Sequence, residues 1–149
     1  MRTLLLIVIF LMPFVKLSQN DDRKIIENFI VLAANKDFDI KRIEPFLIPI
    51  NDEDDKISQK RQELLNFQLK GLNKELINKD LNKISIIPYK SLPGKVQEIT
   101  LGKDQIEDNI YEIRYDNKYY FTVLLENHLI KSFTLVKKGS EHNKMFLII

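Results

Sequence analysis

The chain has 149 residues, with 23 Lys and Arg against 21 Asp and Glu, and it contains no cysteine. Without cysteine it can carry no disulfide and no cysteine-linked lipid, so packing alone must hold the fold. Its size suits one domain, and its many Ile, Leu, Phe and Tyr residues among mixed charges argue against disorder.

The first residues predict a cleavable export signal, residues 1–18. Arg2 precedes an uninterrupted apolar run over residues 4–12, and a polar exit follows with the small residue Ser18 near its end. This is the three-part signal-peptide pattern, and the apolar run is shorter than the ~20 residues that span a bilayer. We therefore expect an exported protein, periplasmic or extracellular, whose residues 19–149 form one domain without a stable membrane span. A retained anchor and a buried N-terminal strand are the alternatives.

Removal of the signal changes the charge balance. Arg2 and Lys16 leave with it, so Lys and Arg fall to 21, equal to the 21 Asp and Glu. A neutral domain lacks the positive surface that nucleic-acid binding needs. Nucleic acid is therefore not an expected partner.

The front half of the remaining chain predicts three helices. Capping and acidic residues open the first helix, whose apolar residues recur at helical spacing to about Asn35. A short second helix runs through Ile40 and Ile43, and the acidic residues 51–55 open a third that continues to about Asn78. The buried stripe of the third helix is predicted from four leucines and three upstream residues: Leu65, Leu69, Leu72 and Leu76, with Ile57, Arg61 and Leu64.

From Lys83 onward the apolar period changes to two, which predicts strands. A tight turn is predicted at Asn127-His128, because both residue types tolerate positive φ. The predicted fold class is α+β, with N-terminal helices packed on a curved antiparallel sheet. The predicted strands cover residues 84–86, closed by Pro88, and then 96–101, 110–115, 119–126, 129–137 and 145–149.

The hairpin around Asp116 has two possible registers. A two-residue loop pairs Tyr115 with Lys118, whereas a three-residue loop pairs Tyr115 with Tyr119. Because a slip of one residue turns every side chain to the opposite face, the register with one coherent apolar face is favoured, and this needs three loop residues. The face predicted toward the helices carries Tyr111, Ile113, Tyr115, Tyr119, Phe121, Val123 and Leu125, and the opposite face carries Glu112, Arg114, Tyr120 and Thr122.

Tyr111, Tyr115 and Tyr119 share the predicted inner face and form the candidate ligand-binding site. Each combines an apolar ring with a polar hydroxyl, so together they could line a pocket and orient a ligand. The alternative is that they cover the rim of the core. No cofactor is predicted.

No catalytic or metal-binding group is predicted from the remaining polar residues. The acidic residues 52–55 do not form a calcium loop, because Lys56 and Ile57 stand where a ligand and a glycine are required, and helix capping explains them instead. His128 and His142 have no second ligand at metal-binding spacing and are interpreted as solvated loop residues.

The order of three helices followed by a sheet, with the long hairpin segment of residues 119–133, resembles the NTF2-like, cystatin-related α+β roll. The resemblance implies a conical cavity between helices and sheet, used by some members for catalysis and by many for binding or assembly. The family's usual strand between the second and third helices has little counterpart in residues 45–52. Its enzymatic members place Asp and His in the cavity, whereas the predicted inner face carries neither.

These expectations together predict an exported, non-enzymatic domain. It would bind a small ligand or another envelope or secreted protein, with a homodimer as one possible assembly. Two alternatives stay open: a periplasmic immunity-type protein that neutralises a toxin, and an enzyme whose buried acid or base is not visible in the sequence.

Overall fold

The computed structural model describes residues 20–93, 99–137 and 144–148. The predicted signal and His142 lie outside these described residues. Three helices pack against one face of a four-stranded antiparallel sheet, and a small two-stranded sheet follows. The predicted α+β class is therefore confirmed.

The three helices occupy the front half of the chain, as predicted. Helix α1 covers residues 20–33, α2 covers Ile40–Ile43 and α3 covers Asp55–Leu76. The Asp54 carboxylate accepts a hydrogen bond of 2.8 Å from the backbone N–H of Lys56, which satisfies one of the free donors in the first turn of α3. The capping role predicted for the acidic stretch is thus confirmed.

The main sheet has the strand order β1-β2-β3-β4, so that β1 and β4 are its edges among the described strands. The two-stranded sheet pairs β5 with β6, and the predicted strand 129–137 is therefore divided between the two sheets. Of the predicted strand 96–101, residues 96–98 lie outside the described part of the chain, and Ile99 forms a single bridge to Lys144. The strand bounds are β1 Ile84–Pro88, β2 Ile110–Tyr115, β3 Lys118–Glu126, β4 Leu129–Ser132, β5 Leu135–Lys137 and β6 Lys144–Phe146.

The β2–β3 hairpin has a two-residue loop, so the predicted three-residue loop is wrong. Asp116 and Asn117 have φ of 51° and 62°, and Tyr115 pairs with Lys118. A two-residue turn with both φ positive matches the twist of the strands, and Asp and Asn tolerate this conformation. A bulge then adds one residue to β3 and restores the predicted pairing of Ile113 with Phe121 farther along the ladder.

The bulge also changes which side chains face the helices. Tyr111, Ile113 and Val123 lie in the core between sheet and helices, as predicted. Tyr120 packs against that same core, whereas the Tyr119 hydroxyl lies 3.2 Å from Thr122 Oγ1 on the opposite face. The predicted faces of Tyr119 and Tyr120 are therefore exchanged, because the extra residue reverses the alternation locally.

Both faces of the main sheet are covered. Because alternate residues of a strand point to opposite faces, Ile110 and Leu124 point away from the helices. They join a second apolar cluster with Tyr89, Leu92 and Phe146 of the segments that cover the outer face. The main sheet is thus the central layer of the fold.

Helix α3 buries Leu65, Leu69 and Leu76, as its leucine stripe predicts. Ile57 and Leu64, however, are 48% and 38% exposed, so their assignment to the same stripe is wrong. At about 100° per residue the two positions lie roughly 100–120° round the helix from the mean direction of Leu65, Leu69 and Leu76, so they fall on its flank and not on the core-facing side. The helix therefore carries a second apolar surface.

Candidate functional site

An open groove lies between α1 and the edge strand β1. Its volume is about 250 Å³. We call it the edge groove; its walls are formed by Arg23, Glu27, Ile30 and Val31 of α1, by Leu81, and by Ile84 and Ile86 of β1.

The edge groove is apolar at its base and charged at its rim. Ile30 and Ile86 are buried, while Val31 is 55% exposed and presents its side chain to solvent. At the rim Arg23 Nε lies 3.0 Å from Glu27 Oε1, and both side chains are about half exposed. Such an exposed ion pair contributes little to stability, so it can rearrange when another group enters the groove.

The backbone of β1 offers hydrogen-bonding groups along this groove. The Asp116 N–H donates to the Lys83 carbonyl at 3.0 Å, which makes the opposed residues Ile84 and Tyr115 a non-hydrogen-bonded pair. By the alternation of an antiparallel ladder, the N–H and C=O of Ile86 also point away from β2, toward the outer edge of the sheet. The Ile84 N–H already donates to the Leu81 carbonyl. The backbone N–H and C=O of Ile86 are thus the first pair of groups to which an added strand would form hydrogen bonds.

A polar cluster fixes the start of α1 to the sheet. Asp22 is nearly buried; its Oδ2 accepts a hydrogen bond of 3.1 Å from the Tyr111 hydroxyl, and its Oδ1 lies 2.6 Å from His128 Nδ1. Tyr111 comes from β2 and His128 from the β3–β4 turn, so three separate elements meet at one carboxylate. Burial is the main cause that raises the pKa of Tyr111, and the charge of Asp22 is the second. Both causes keep the Tyr111 hydroxyl protonated as a donor.

The contact with Asp22 also bears on what the His128 imidazole can do chemically. A carboxylate bound to one ring nitrogen orients an imidazole and leaves the other nitrogen available, which is how histidine bases are positioned. The His128 side chain is 56% exposed and its residue has φ of 59°, in agreement with the predicted tight turn. The walls of the edge groove include none of the three residues of the cluster. The cluster therefore joins the start of α1 to β2 and to the β3–β4 turn, apart from the edge groove.

Sequence reasoning missed this cluster because its members are far apart in the chain. Asp22 and His128 are separated by 106 positions, and no local pattern joins them. One signal was present: Asp22 lies four residues before Ile26 and seven before Phe29, on the buried face of α1. A carboxylate on an apolar helical face needs a hydrogen-bonding partner when it is buried, so the position of Asp22 indicated such a contact.

The three tyrosines predicted to form one site are not brought together. Tyr111 contacts Asp22, and Tyr119 lies on the outer face, where burial raises its pKa. Tyr115 lies at the other end of its strand under the ammonium group of Lys79, whose Nζ is 4.6 Å from the ring centre. The prediction that the three share one face is therefore wrong, because the bulge moves Tyr119 to the opposite side.

The outer face carries a buried acid as well. Glu112 is fully buried and its Oε1 lies 2.6 Å from Arg114 Nε, which agrees with the predicted outward direction of both residues. Its Oε2 has no hydrogen-bond partner in the described part of the chain.

Within residues 20–93, 99–137 and 144–148, no group of three or more His, Asp or Glu is placed to hold a metal ion. Nor is any helix of these ranges both long and apolar enough to cross a membrane.

Comparisons of the chain with models of known protein families, with curated proteins and with solved structures gave no match. The similarity to the NTF2-like roll stays a prediction.

Proposed function

We propose that the protein is an exported binding protein, not an enzyme, and that it holds an extended segment of an envelope or secreted protein in the edge groove. The observation that carries this proposal is the combination of an apolar groove with outward-directed backbone groups at Ile86. Export is supported by the signal-like pattern of residues 1–18. A toxin would be one such partner, as an immunity-type protein requires.

A groove between a helix and an edge strand suits strand addition. In this mode the main chain of the peptide forms hydrogen bonds with the edge strand, and alternate side chains enter the groove. Here the Ile86 N–H and C=O would bond to the added strand, while one or two apolar side chains would contact Ile30 and Val31. Pro88 lacks an N–H and limits the added strand to a short segment.

The size of the groove favours a peptide over a compact small ligand. Small-molecule sites usually enclose about 300–1,000 Å³ and cover most of the ligand. The edge groove is smaller, at about 250 Å³, and it is partly open to solvent. A side chain presented by an extended backbone needs no enclosure, because the backbone itself is held by hydrogen bonds.

The test is to select binders from a displayed library of random peptides, with residues 19–149 as the target. We expect the selected peptides to alternate apolar and polar residues, and to bind a Val31→Lys variant at least about tenfold more weakly, ~1.4 kcal/mol. The matched control is Ile106→Lys, because Ile106 and Val31 are both 55% exposed and Ile106 does not line the groove. The control should bind as the unmodified protein does.

Amide exchange gives a second measurement that does not depend on side chains. Bound peptide should slow exchange at the Ile86 N–H, whereas Ser85 and Ile87, whose groups face β2, should change little. Peptides that bind both lysine variants equally and leave Ile86 exchange unchanged would refute the proposal.

A further inference from the structure

Helix α3 presents an apolar stripe to solvent. Phe67 is 76% exposed, and Ile57 and Leu64, which are also exposed, fall within about 80° of it around the helix axis. Gly71 continues this side, and a Cβ built there would meet no atom within 4 Å. These positions recur at spacings of seven, three and four residues, the repeat of a helix that packs lengthwise against another helix. We call Ile57, Leu64, Phe67 and Gly71 the outer stripe.

The outer stripe complements itself when two α3 helices run antiparallel. If Phe67 faces Phe67 of a second copy, then Leu64 faces the second copy's Gly71, which has no side chain to exclude it. The helix has 22 residues and is about 33 Å long at ~1.5 Å per residue, so such a contact extends over several turns. Antiparallel helices also bring opposite ends of their dipoles together.

The charges beside the stripe agree with this arrangement. In the same alignment Glu63 of one copy lies beside Lys70 of the other, and two-fold symmetry makes this pair occur twice. Both side chains are exposed on α3 of the single chain. The pairing of an apolar centre with opposite charges at its border is typical of a specific protein contact.

We propose that the outer stripe is the interface of a homodimer in which two α3 helices pack antiparallel about Phe67. The interface is isologous, so each copy gives and receives the same contacts. One pair of helices buries less than the ~1,600 Å² of a standard interface, and the dimer therefore dissociates on dilution. The edge groove lies on α1 and β1 and stays accessible in the dimer.

Sedimentation velocity over a dilution series tests the dimer directly. Residues 19–149 should pass from dimer to monomer on dilution, and Phe67→Glu should raise the dissociation constant by about 30-fold or more, as loss of a central aromatic contact does. Ile106→Glu changes another exposed apolar residue and should leave the dissociation constant unchanged. A chain that stays monomeric at the highest concentration refutes the proposal.

A charge exchange tests the alignment. Glu63→Lys or Lys70→Glu alone should weaken the dimer, and the two changes together should restore it, because each Glu–Lys pair is re-formed in reverse. The chain has no cysteine, so Phe67→Cys introduces a single thiol that should form an intermolecular disulfide under mild oxidation. Gln59→Cys, on the same helix away from the stripe, should not.

The same variants distinguish binding of the outer stripe to a membrane surface from its binding to a second copy of the chain. If wild-type protein is monomeric and binds vesicles of anionic phospholipid, and Phe67→Glu abolishes that binding, the stripe is a membrane contact and the dimer proposal is wrong. Under the dimer proposal, vesicle binding is absent and the charge exchange restores association.

Discussion

Helices α1 and α3 both carry apolar residues at helical spacing, but they use them in different ways. Helix α1 buries Phe29 completely and turns the Asp22 carboxylate to partners in β2 and in the β3–β4 turn. Of the 22 residues of α3 only three are buried, and Phe67, its one aromatic residue, is 76% exposed. The core-facing residues of α1 are buried within the chain and its exposed Val31 lines the edge groove, whereas α3 has one stripe for the core and a second that is directed outward.

The largest expected contrast is between the two phenylalanines. Phe29 lies in the core with its ring centre 5.4 Å from that of Phe133, so Phe29→Ala should lower the free energy of unfolding by about 3–5 kcal/mol. Phe67→Ala should change it by no more than about 0.5 kcal/mol, since the side chain is already in water. Chemical denaturation of the monomer, at a concentration below dimer formation, measures both. Equal losses would show that α3 faces the sheet differently.

The leucines of α3 provide a comparison within one helix. Leu69 is fully buried, and Leu69→Ala should destabilise the protein by about 2–5 kcal/mol through lost transfer free energy and a cavity. Leu64→Ala should cost less than about 1 kcal/mol, although the leucine pattern alone puts both residues in one stripe. The same denaturation experiment decides between one stripe and two. A large loss at Leu64 would place it in the core and remove it from the proposed dimer interface.

These contrasts indicate which features the sequence could predict. The leucine period located the core face of α3, and the acidic stretch before Asp55 located its start, because both signals are local. A period of 3.6 residues does not show how wide the buried face is, so Ile57 and Leu64 were assigned to the core face in error. The width of the buried face is set by the sheet, which contacts only one side of the helix.

The hairpin and the polar cluster show a second limit. The pairing of Ile113 with Phe121 was predictable because apolar residues must share a face. The sequence does not distinguish a three-residue loop from a two-residue loop with a bulge, since both give this pairing, and they differ only in the placement of Tyr119 and Tyr120. The contact of Asp22 with His128 depends on the complete fold, so no local pattern contains it.

The cluster at Asp22 should make the anchoring of α1 depend on pH in the alkaline range. The pKa of Tyr111 is raised in the folded state from its ordinary value of 10.0, by burial first and then by the charge of Asp22. Well below pH 10, the ordinary pKa of tyrosine, the hydroxyl is protonated in both states and the stabilisation is fully present. Above that pH the unfolded chain loses a proton that the folded chain retains, so the free energy of unfolding falls by up to about 1.4 kcal/mol per pH unit.

Tyr111→Phe removes this titration and is the variant that checks it. Near neutral pH we expect a loss of about 1.5–3 kcal/mol, the usual range for one hydrogen bond to a charged group, because the hydroxyl donates to the Asp22 carboxylate. Between pH 10 and 11 the stability of the variant should fall less steeply than that of the unmodified protein. Parallel curves would mean that Tyr111 ionises equally in both states and that Asp22 does not hold it.

The smallest expected effects come from two turns whose central residues all have positive φ but whose contacts differ. Asn117 and His128 both have positive φ, at 62° and 59°, so glycine should relieve a small strain at either position. Asn117→Gly should therefore be neutral or stabilising by a few tenths of a kcal/mol, about the scale of such backbone effects.

His128→Gly gains the same relief but loses the contact of Nδ1 with Asp22, which is 2.6 Å long and joins the turn to α1. We expect His128→Gly to be destabilising by about 1 kcal/mol, the order of one hydrogen bond to a charged group less the relief. Hydrogen exchange should then quicken in the first turn of α1 in this variant alone. If both glycine variants behave alike, the Asp22 contact adds nothing to the anchoring of α1.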